Sequence, residues 1–153
     1  MSEISIQRAG LSELELAYDI VCEYYEAVGV VVRDHQQAFE QEYFTDGTGF
    51  WLASIHQSIA GCIALRALPQ SEKSAEIKRL YVRPEYRKQG IAEALLKALE
   101  EYATEHGYST LYLDTNDDLS AALRFYLSHG YQPCERYNDN PQATIFLQKQ
   151  LHR

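Results

Sequence analysis

The sequence predicts an α+β or mixed α/β domain, because strand-like and helix-like segments are unevenly distributed along the chain. Three strand-like runs separated by turn residues lie between residues 50 and 82 and indicate an antiparallel meander. Beyond residue 90, helical and strand-like patterns alternate. With 153 residues the chain can bury one substantial core but not two ordinary ones, so we expect a single domain over residues 1–153.

The first predicted elements are a strand and two helices. Ile4 and Ile6 alternate with polar residues, as on a half-buried strand. Residues 12–15, Ser-Glu-Leu-Glu, match a capping box, and apolar residues follow at helical spacing at positions 14, 17, 21 and 25. A second short helix is expected over residues 34–44, with Asp34 as its N-cap.

The three meander strands are expected over residues 50–55, 59–68 and 75–82. Gln57 and Ser58 would form the first hairpin turn, and Pro69 begins the second turn. The alternating part is predicted as a helix over 91–106 ended by Gly107, a strand over 110–114, a helix over 119–129 ended by Gly130, and strands over 131–137 and 144–149.

The formal net charge of −8 is unevenly placed along the chain. Residues 1–75 carry 4 basic and 11 acidic side chains, whereas residues 76–153 carry 10 and 11. Between residues 78 and 88, one glutamate stands among five basic side chains: Lys78, Arg79, Arg83, Arg87 and Lys88. One basic island on an acidic chain is a poor surface for nucleic acid and a better one for a small polyanion.

Cysteine and histidine usage argues against a disulfide framework and against a metal site. Cys22, Cys62 and Cys134 are odd in number and widely spaced, and the five histidines show no ligand spacing. No secretory signal is visible at the N-terminus, and no run of about 18 apolar residues offers a membrane span. We therefore expect a soluble, cytoplasmic protein.

Residues 87–92, Arg-Lys-Gln-Gly-Ile-Ala, join the third meander strand to the long helix that begins near Ile91. The N–H groups of a first helical turn have no intrahelical partners, and the helix dipole adds positive potential there. Gly90 lets the backbone approach phosphate oxygens, Ala92 keeps the second contact small, and Arg87 and Lys88 can add charge-assisted hydrogen bonds. The stretch therefore predicts a pyrophosphate cradle.

Residues 76–92, followed by Ala122, Tyr126 and Gly130-Tyr131, resemble the GNAT family of N-acetyltransferases. The family's pyrophosphate loop, Gln/Arg-x-x-Gly-x-Gly/Ala, is matched by Arg87, Gly90 and Ala92. The resemblance covers residues 76–131 well and the rest of the chain only in element order. It implies a mostly antiparallel sheet of six to seven strands with one splayed strand pair, about four flanking helices, and acetyl-CoA as cosubstrate.

The resemblance also implies how coenzyme A binds. The strand ending at Val82 would splay from the strand over 110–114, and the pantetheine arm would enter the gap like a missing strand. Main-chain groups of Leu80, Tyr81 and Val82 would bond the pantetheine, and an N–H there would polarise the thioester oxygen. The pyrophosphate would lie on Arg87, Lys88, Gln89, Gly90, Ile91 and Ala92.

Two side chains are candidates for the chemistry. Tyr126, four residues before Gly130, lies where the family commonly places a general acid near the CoA sulfur; the alternative is a packed helical tyrosine. Glu76 lies where several members carry a carboxylate that takes the amine proton directly or through water; the alternative is an ordinary surface glutamate. Strand alternation would put Arg79 and Tyr81 on the opposite face, lining the acceptor side or exposed.

One position departs from the family pattern. Many members have an asparagine seven residues before the catalytic tyrosine, where it contacts the pantetheine, and this chain has Leu119 there. Asn116 is an alternative source of that amide. It is equally suited to the turn and helix cap at residues 116–118.

The acceptor is expected to be a small amine or an amino acid, attacked directly in a ternary complex. The acidic first half favours a cationic amine, whereas Lys78, Arg79 and Arg136 favour an acceptor with a carboxylate. In the family the acceptor is bound by segments that here contain Tyr24, Tyr25, Arg33, Phe44, Trp51 and residues 136–141. The alternatives are a protein lysine or N-terminus as acceptor, or a CoA-binding sensor without catalysis. Family habit also allows a homodimer.

Overall fold

A computed structural model of the chain describes residues 3–29, 35–71, 73–116 and 120–152. Its strands are β1 (Ile4–Arg8), β2 (Gly49–Ile55), β3 (Ser58–Ala67), β4 (Ser74–Val82), β5 (Thr110–Thr115), β6 (Gln132–Pro133) and β7 (Ile145–Gln150). Its helices are α1 (Leu14–Val28), α2 (Gln36–Tyr43), α3 (Ile91–His106) and α4 (Ser120–Ser128). None of these helices combines the length and the apolar character that crossing a membrane requires.

The strands form one seven-stranded sheet in the order β1-β2-β3-β4-β5-β7-β6. Neighbouring strands are antiparallel except β4 and β5, which are parallel. The first four strands therefore form the predicted meander, and α3 is the crossover between the two parallel strands. The predicted fold class, a mostly antiparallel α+β sheet flanked by helices, is confirmed.

Each face of the sheet carries its own core. On the face covered by α3 and α4, which we call the α3 face, Leu99 packs in one cluster with Leu111 of β5. On the face covered by α1 and α2, the α1 face, Val21 and Phe39 pack in a second cluster with Phe50 of β2. A ligand that contacts both faces must therefore pass an edge of the sheet or a gap between strands.

Helix α3 has the predicted boundaries because both of its ends carry a glycine. Gly90 precedes it with a φ of 84°, and Gly107 follows it with a φ of 101°. Both values lie in the left-handed region, which glycine adopts without the penalty of a Cβ. The first hairpin turn differs by one residue from the prediction: His56 and Gln57, with φ of 50° and 69°, form it.

The capping box predicted at residues 12–15 is wrong. A 3-10 turn over Leu11–Glu13 precedes α1. The Glu13 carboxylate accepts a hydrogen bond from the Gly10 N–H at 2.8 Å, so the capping contact lies two residues earlier than predicted. The predicted cap at Asp34 and the predicted helix start at Leu119 lie outside the described residues.

The strand predicted over residues 131–137 is reduced to two residues, Gln132–Pro133. Pro133 has no N–H to offer the ladder, and the backbone contact to β7 ends with a bond from the Cys134 N–H to the Phe146 carbonyl at 2.8 Å. The chain then leaves the sheet as the β6–β7 loop, residues 134–144. Side-chain hydrogen bonds rather than ladder pairing order this loop, as described below.

Candidate active site

The N-terminus of α3 opens onto a cavity of about 210 Å³. Gly90, Ile91 and Ala92 line it together with Val82 at the end of β4 and Phe125 of α4. No side chain caps this helix start, so its first-turn N–H groups face the cavity without a capping partner. A Cβ added at Gly90 would meet no atom within 4 Å, which means that it would occupy the open space beside the helix end.

The loop before α3 brings positive charge to this cavity. Arg87, Lys88 and Gln89 are all exposed. The Arg87 Nε donates to the Val82 carbonyl at 3.0 Å and so ties the loop to the end of β4. Ile91 is only 1% exposed, and its side chain belongs to the core on the α3 face. Its contribution to the cradle is therefore its backbone N–H.

The parallel strands β4 and β5 pair over a short stretch and then separate. Their register joins Ser74–Glu76 to residues 110–112, whereas β4 continues to Val82. The gap that opens beyond Glu76 leads toward the start of α3, since Val82 also lines the cavity there. This is the splayed strand pair that the sequence predicts.

A β-bulge changes the side-chain alternation of β4. Cys62 pairs with Tyr81 and Ala64 pairs with Lys78, so three steps along β4 match two steps along β3. Arg79 lies within the extra length and has a φ of 60°. The buried Cys62 thiol donates to the Arg79 carbonyl at 3.2 Å, which helps to hold the bulge.

Because of the bulge, Tyr81 lies on the same face of β4 as Glu76, and its predicted placement on the opposite face is wrong. The partners of these two residues, Cys62 and Arg66, alternate regularly on β3. Tyr81 is 7% exposed. Burial and the hydrogen bond from its hydroxyl to Glu23 at 2.8 Å raise the pKa of Tyr81 to about 12. Its main chain, not its side chain, is therefore what it offers to the gap.

Tyr126 lies on α4 with only 5% of its surface exposed. Its ring packs edge-on against Phe125 at 5.3 Å and against Tyr131 at 5.4 Å between centroids. Burial raises the pKa of the Tyr126 phenol, and the neighbouring phenol of Tyr24 raises it further. Since α4 and α1 cover opposite faces of the sheet, we infer that these two tyrosines meet through the gap between β4 and β5.

Glu76 is fully buried, and both of its oxygens accept contacts. Oε1 lies 2.6 Å from the Arg66 Nε and 3.7 Å from the Lys78 Nζ. Oε2 accepts hydrogen bonds from the Tyr137 hydroxyl at 2.5 Å and from the Asn138 Nδ2 at 3.1 Å. The carboxylate therefore joins β3 and β4 to the β6–β7 loop.

Asp114 was predicted only as the end of a strand, but the β6–β7 loop makes it part of the same cluster. Asn138 donates from Nδ2 to Asp114 Oδ2 at 2.6 Å, and so bridges Asp114 and Glu76. The Asn140 Nδ2 donates to Asp114 Oδ1 at 3.3 Å. The sequence signal was the polar run at 138–140, but nothing local to Asp114 points to partners 24 and 26 positions away.

Arg136 stabilises the β6–β7 loop through hydrogen bonds to the loop's own carbonyl groups. Its guanidinium donates to the carbonyls of Asn138, Asn140 and Ala143 at 3.0 to 3.2 Å. It also lies over the Phe146 ring at 4.6 Å. These contacts occupy the guanidinium of Arg136, which was predicted to bind a carboxylate of the acceptor.

Of the other predicted acceptor residues, two pack in the cores of the sheet and two lie on α1. Trp51 packs against Tyr102 of α3, and Phe44 packs in the α1-face core, so neither lies beside the gap. Tyr24 is half-buried, and the Arg79 guanidinium lies 4.9 Å from the centre of the Tyr25 ring. Arg33 lies outside the described residues.

Asn116 is half-buried just after β5, next to residues 117–119, which lie outside the described part of the chain. Leu119 is one of these residues. In the part of the chain that the structure describes, no group of three or more His, Cys, Asp or Glu side chains could hold a metal ion.

Comparison with known proteins places this geometry in context. The model of the acetyltransferase (GNAT) family matches residues 14–131. An uncharacterised N-acetyltransferase of Schizosaccharomyces pombe is 40% identical over 90 residues, which are 59% of this chain and 55% of that protein. The chain spans about half the length of the curated relatives it matches.

Two solved structures share the fold over nearly the whole chain. A GNAT acetyltransferase from Staphylococcus aureus Mu50 superposes with a TM-score of 0.82 at 23% identity, covering 98% of this chain and 100% of its own. The PaiA N-acetyltransferase of Thermoplasma acidophilum, solved in complex with coenzyme A, gives a TM-score of 0.74 at 18% identity, covering 97% and 99%.

Proposed function

This chain belongs to the acetyltransferase (GNAT) family, and on that premise we propose that it transfers the acetyl group of acetyl-CoA to a small amine or an amino acid. One arrangement supports the proposal: we infer that three features border the gap between β4 and β5. They are the uncapped start of α3, the separated end of β4 and the buried phenol of Tyr126. Each of them meets one requirement of acetyl transfer.

The residues at the start of α3 fit the pyrophosphate of coenzyme A. The open space beside Gly90 is where a Cβ would otherwise stand. The N–H groups of Ile91 and Ala92 would donate to phosphate oxygens, and Arg87 and Lys88 would add charge-assisted bonds. Gln89, exposed between them, would add an amide.

The separated end of β4 fits the pantetheine arm. Main-chain groups of Leu80, Tyr81 and Val82 would bond it as a neighbouring strand does, and Asn116 is a further amide donor beside the gap. A β4 N–H directed at the thioester oxygen would stabilise the negative charge that develops there during acyl transfer.

We assign the proton transfer to the leaving group to Tyr126. The amine nitrogen forms its bond to the thioester carbon, the C–S bond breaks, and the Tyr126 phenol donates its proton to the departing thiolate. Solvent then returns a proton to the tyrosinate. The phenol enters each cycle in its protonated form, as an acid must. Burial raises its pKa, so the proton moves only as charge develops on the departing sulfur.

We assign the removal of the amine proton to Glu76. Because the Glu76 side chain has no exposed surface, the proton must reach it through a group at the edge of the cluster. The Tyr137 hydroxyl, 2.5 Å from Oε2, can take a proton from the amine while passing its own proton to Glu76. Tyr137 is neutral before and after this exchange.

Replacing Glu76 by Gln is expected to lower the free energy of unfolding by about 2 kcal/mol and to lower kcat by about 100-fold. The amide removes the charge that pairs with Arg66 and Lys78, and it sets an NH₂ group among hydrogen-bond donors. Urea denaturation and steady-state kinetics measure the two effects.

Glu42→Gln is the matched control for Glu76→Gln. It removes the outer carboxylate of Arg66, which lies 2.8 Å from Nη1 and is 28% exposed, and should cost less than about 1 kcal/mol. If Glu76→Gln lowered stability but left kcat at the wild-type value, its role would be structural only.

Competing functions differ in the acceptor or in catalysis itself. The carboxylates of Glu76 and Asp114 on the acceptor side support a cationic amine, and Arg79 beside Tyr25 supports an acceptor that also carries a carboxylate. A protein lysine or N-terminus is the second candidate acceptor. A CoA-binding sensor without catalysis is the third reading.

Release of free thiol from acetyl-CoA, measured against amino acids, polyamines and peptides, tests these alternatives together. Release with amino acids or polyamines supports the proposal, and release with peptides alone supports a protein acceptor. Binding of CoA without thiol release across the panel would support the sensor. We also propose a cytoplasmic location and a homodimer, which cell fractionation and sedimentation velocity would test.

A further inference from the structure

Asp114 lies where the gap between β4 and β5 has opened. The last residue of β5 that pairs with β4 is Tyr112, and Asp114 follows it by two positions on the same strand. Its contacts with Asn138 and Asn140, and its electrostatic effect on Tyr24 of α1, put its carboxylate on the α1 face. This is the acceptor side of the proposed active site.

The two carboxylates of the cluster are held in different ways. Glu76 is fully buried and pairs with two cations, Arg66 and Lys78. Asp114 is half-buried, and the hydrogen bonds that hold it come from the amides of Asn138 and Asn140. Neutral amides fix a carboxylate without cancelling its charge. The bond to Oδ1 is also long, at 3.3 Å, which leaves that oxygen able to accept a shorter one.

Tyr24 connects Asp114 with the acid of the proposed reaction. Burial raises the pKa of Tyr24, and Asp114 contributes to the rise against the opposing charge of Arg79. Tyr24 in turn acts on the phenol of Tyr126. Asp114 and Tyr126 therefore share Tyr24 as an electrostatic neighbour.

We propose that Asp114 binds the ammonium group of the acceptor and thereby selects cationic alkylamines over neutral arylamines. This inference rests on the proposed function. One N–H of the ammonium would donate to Asp114 Oδ1, and a second proton would leave toward Tyr137 and Glu76, since Asn138 joins the two carboxylates. The lone pair so formed would attack the thioester carbon, and the nitrogen would lose its third proton to solvent as the C–S bond breaks. Asp114 would keep its hydrogen bond to the N–H that remains in the amide.

Asp114→Asn tests the proposal with a pair of acceptors of similar size. Benzylamine is a cation at neutral pH, whereas aniline is neutral. The variant is expected to weaken benzylammonium binding to the CoA-saturated protein by about tenfold to a hundredfold, measured by NMR titration, with aniline binding changed by less than about threefold. The kcat/KM ratio of the two acceptors should shift by the same factor, while the Kd of CoA stays constant.

Asp139→Asn is the matched control, because Asp139 is an exposed aspartate of the same loop whose loss changes the net charge equally. It should leave both acceptors unaffected. Equal losses for benzylamine and aniline in Asp114→Asn would overturn the proposal, since they would mean that Asp114 only orders the loop. Failure of benzylammonium to bind the wild type would overturn it as well.

The binding measurement separates this proposal from the proposed function. If benzylammonium bound in an Asp114-dependent way but no thiol were released from acetyl-CoA, the ammonium site would stand and the catalytic function would fall. If thiol were released but the release did not depend on Asp114, the catalytic function would stand and the ammonium site would fall.

Discussion

Tyr126→Phe is expected to lower kcat by about 100-fold to 10,000-fold while changing the Kd of CoA by less than about twofold. The substitution keeps the ring that packs against Phe125 and Tyr131 and removes only the hydroxyl. In the proposed reaction this phenol, whose pKa burial raises, is protonated at neutral pH and would donate its proton to the leaving thiolate. Steady-state kinetics at saturating acceptor and calorimetric titration with CoA measure the two quantities.

Tyr131→Phe is the matched control for this prediction. The Tyr131 ring packs on Tyr126, but its hydroxyl donates to Glu100 at 2.6 Å instead of reaching the gap. Its loss should cost about 1 kcal/mol of stability and leave kcat unchanged. An acetyl thioester with a more acidic thiol should be less sensitive to Tyr126→Phe, because a better leaving group needs less help from an acid. Equal sensitivity of both donors would contradict acid catalysis.

The start of α3 could be predicted from sequence because its determinants are local. Apolar residues at helical spacing mark the helix, and the glycines at positions 90 and 107 mark its ends, where the φ values of 84° and 101° require them. The nearby exposed charges of Arg87 and Lys88 follow from the same short stretch. A local pattern of this kind predicts a phosphate site without knowledge of the tertiary fold.

The acceptor side could not be predicted in the same way, because its contacts join distant segments. Asn138 bridges Glu76 and Asp114, which are 62 and 24 positions away in sequence. Arg136 folds the loop back by donating to three of its carbonyls. No periodicity in the sequence predicts this arrangement. The extended residues after Pro133 look strand-like in isolation, but the last backbone bond to β7 is that of the Cys134 N–H, and the chain then leaves the sheet.

The side-chain directions after the bulge in β4 could not be predicted from the sequence either. A period of two residues assigns faces correctly only while the pairing register holds. The extra residue near Arg79 reverses the alternation, so that Tyr81 returns to the face of Glu76. The sequence contains no glycine at this position to mark the change, and the positive φ is instead accompanied by the bond from the Cys62 thiol.

Gly90→Ala is expected to raise the KM for acetyl-CoA by about 30-fold to 100-fold with little change in kcat at saturation. The new Cβ would meet no neighbouring atom within 4 Å, so its cost to the free protein is the backbone strain of alanine at a φ of 84°. It would stand in the space that the phosphate oxygens need in order to reach the N–H groups of Ile91 and Ala92. Kinetics with varied acetyl-CoA measure the effect, and calorimetry with CoA checks that it is a loss of binding.

Gly107→Ala separates this loss from simple backbone strain. Gly107 stands at the other end of α3 with a φ of 101°, so alanine there carries a similar left-handed penalty of about 1 to 2 kcal/mol. It is far along the helix from the cradle, and the KM for acetyl-CoA should stay at the wild-type value although the protein unfolds at lower urea concentration. If the two variants raised KM equally, the effect at Gly90 would come from helix stability, and the α3 N-terminus would lose its assignment as the pyrophosphate site.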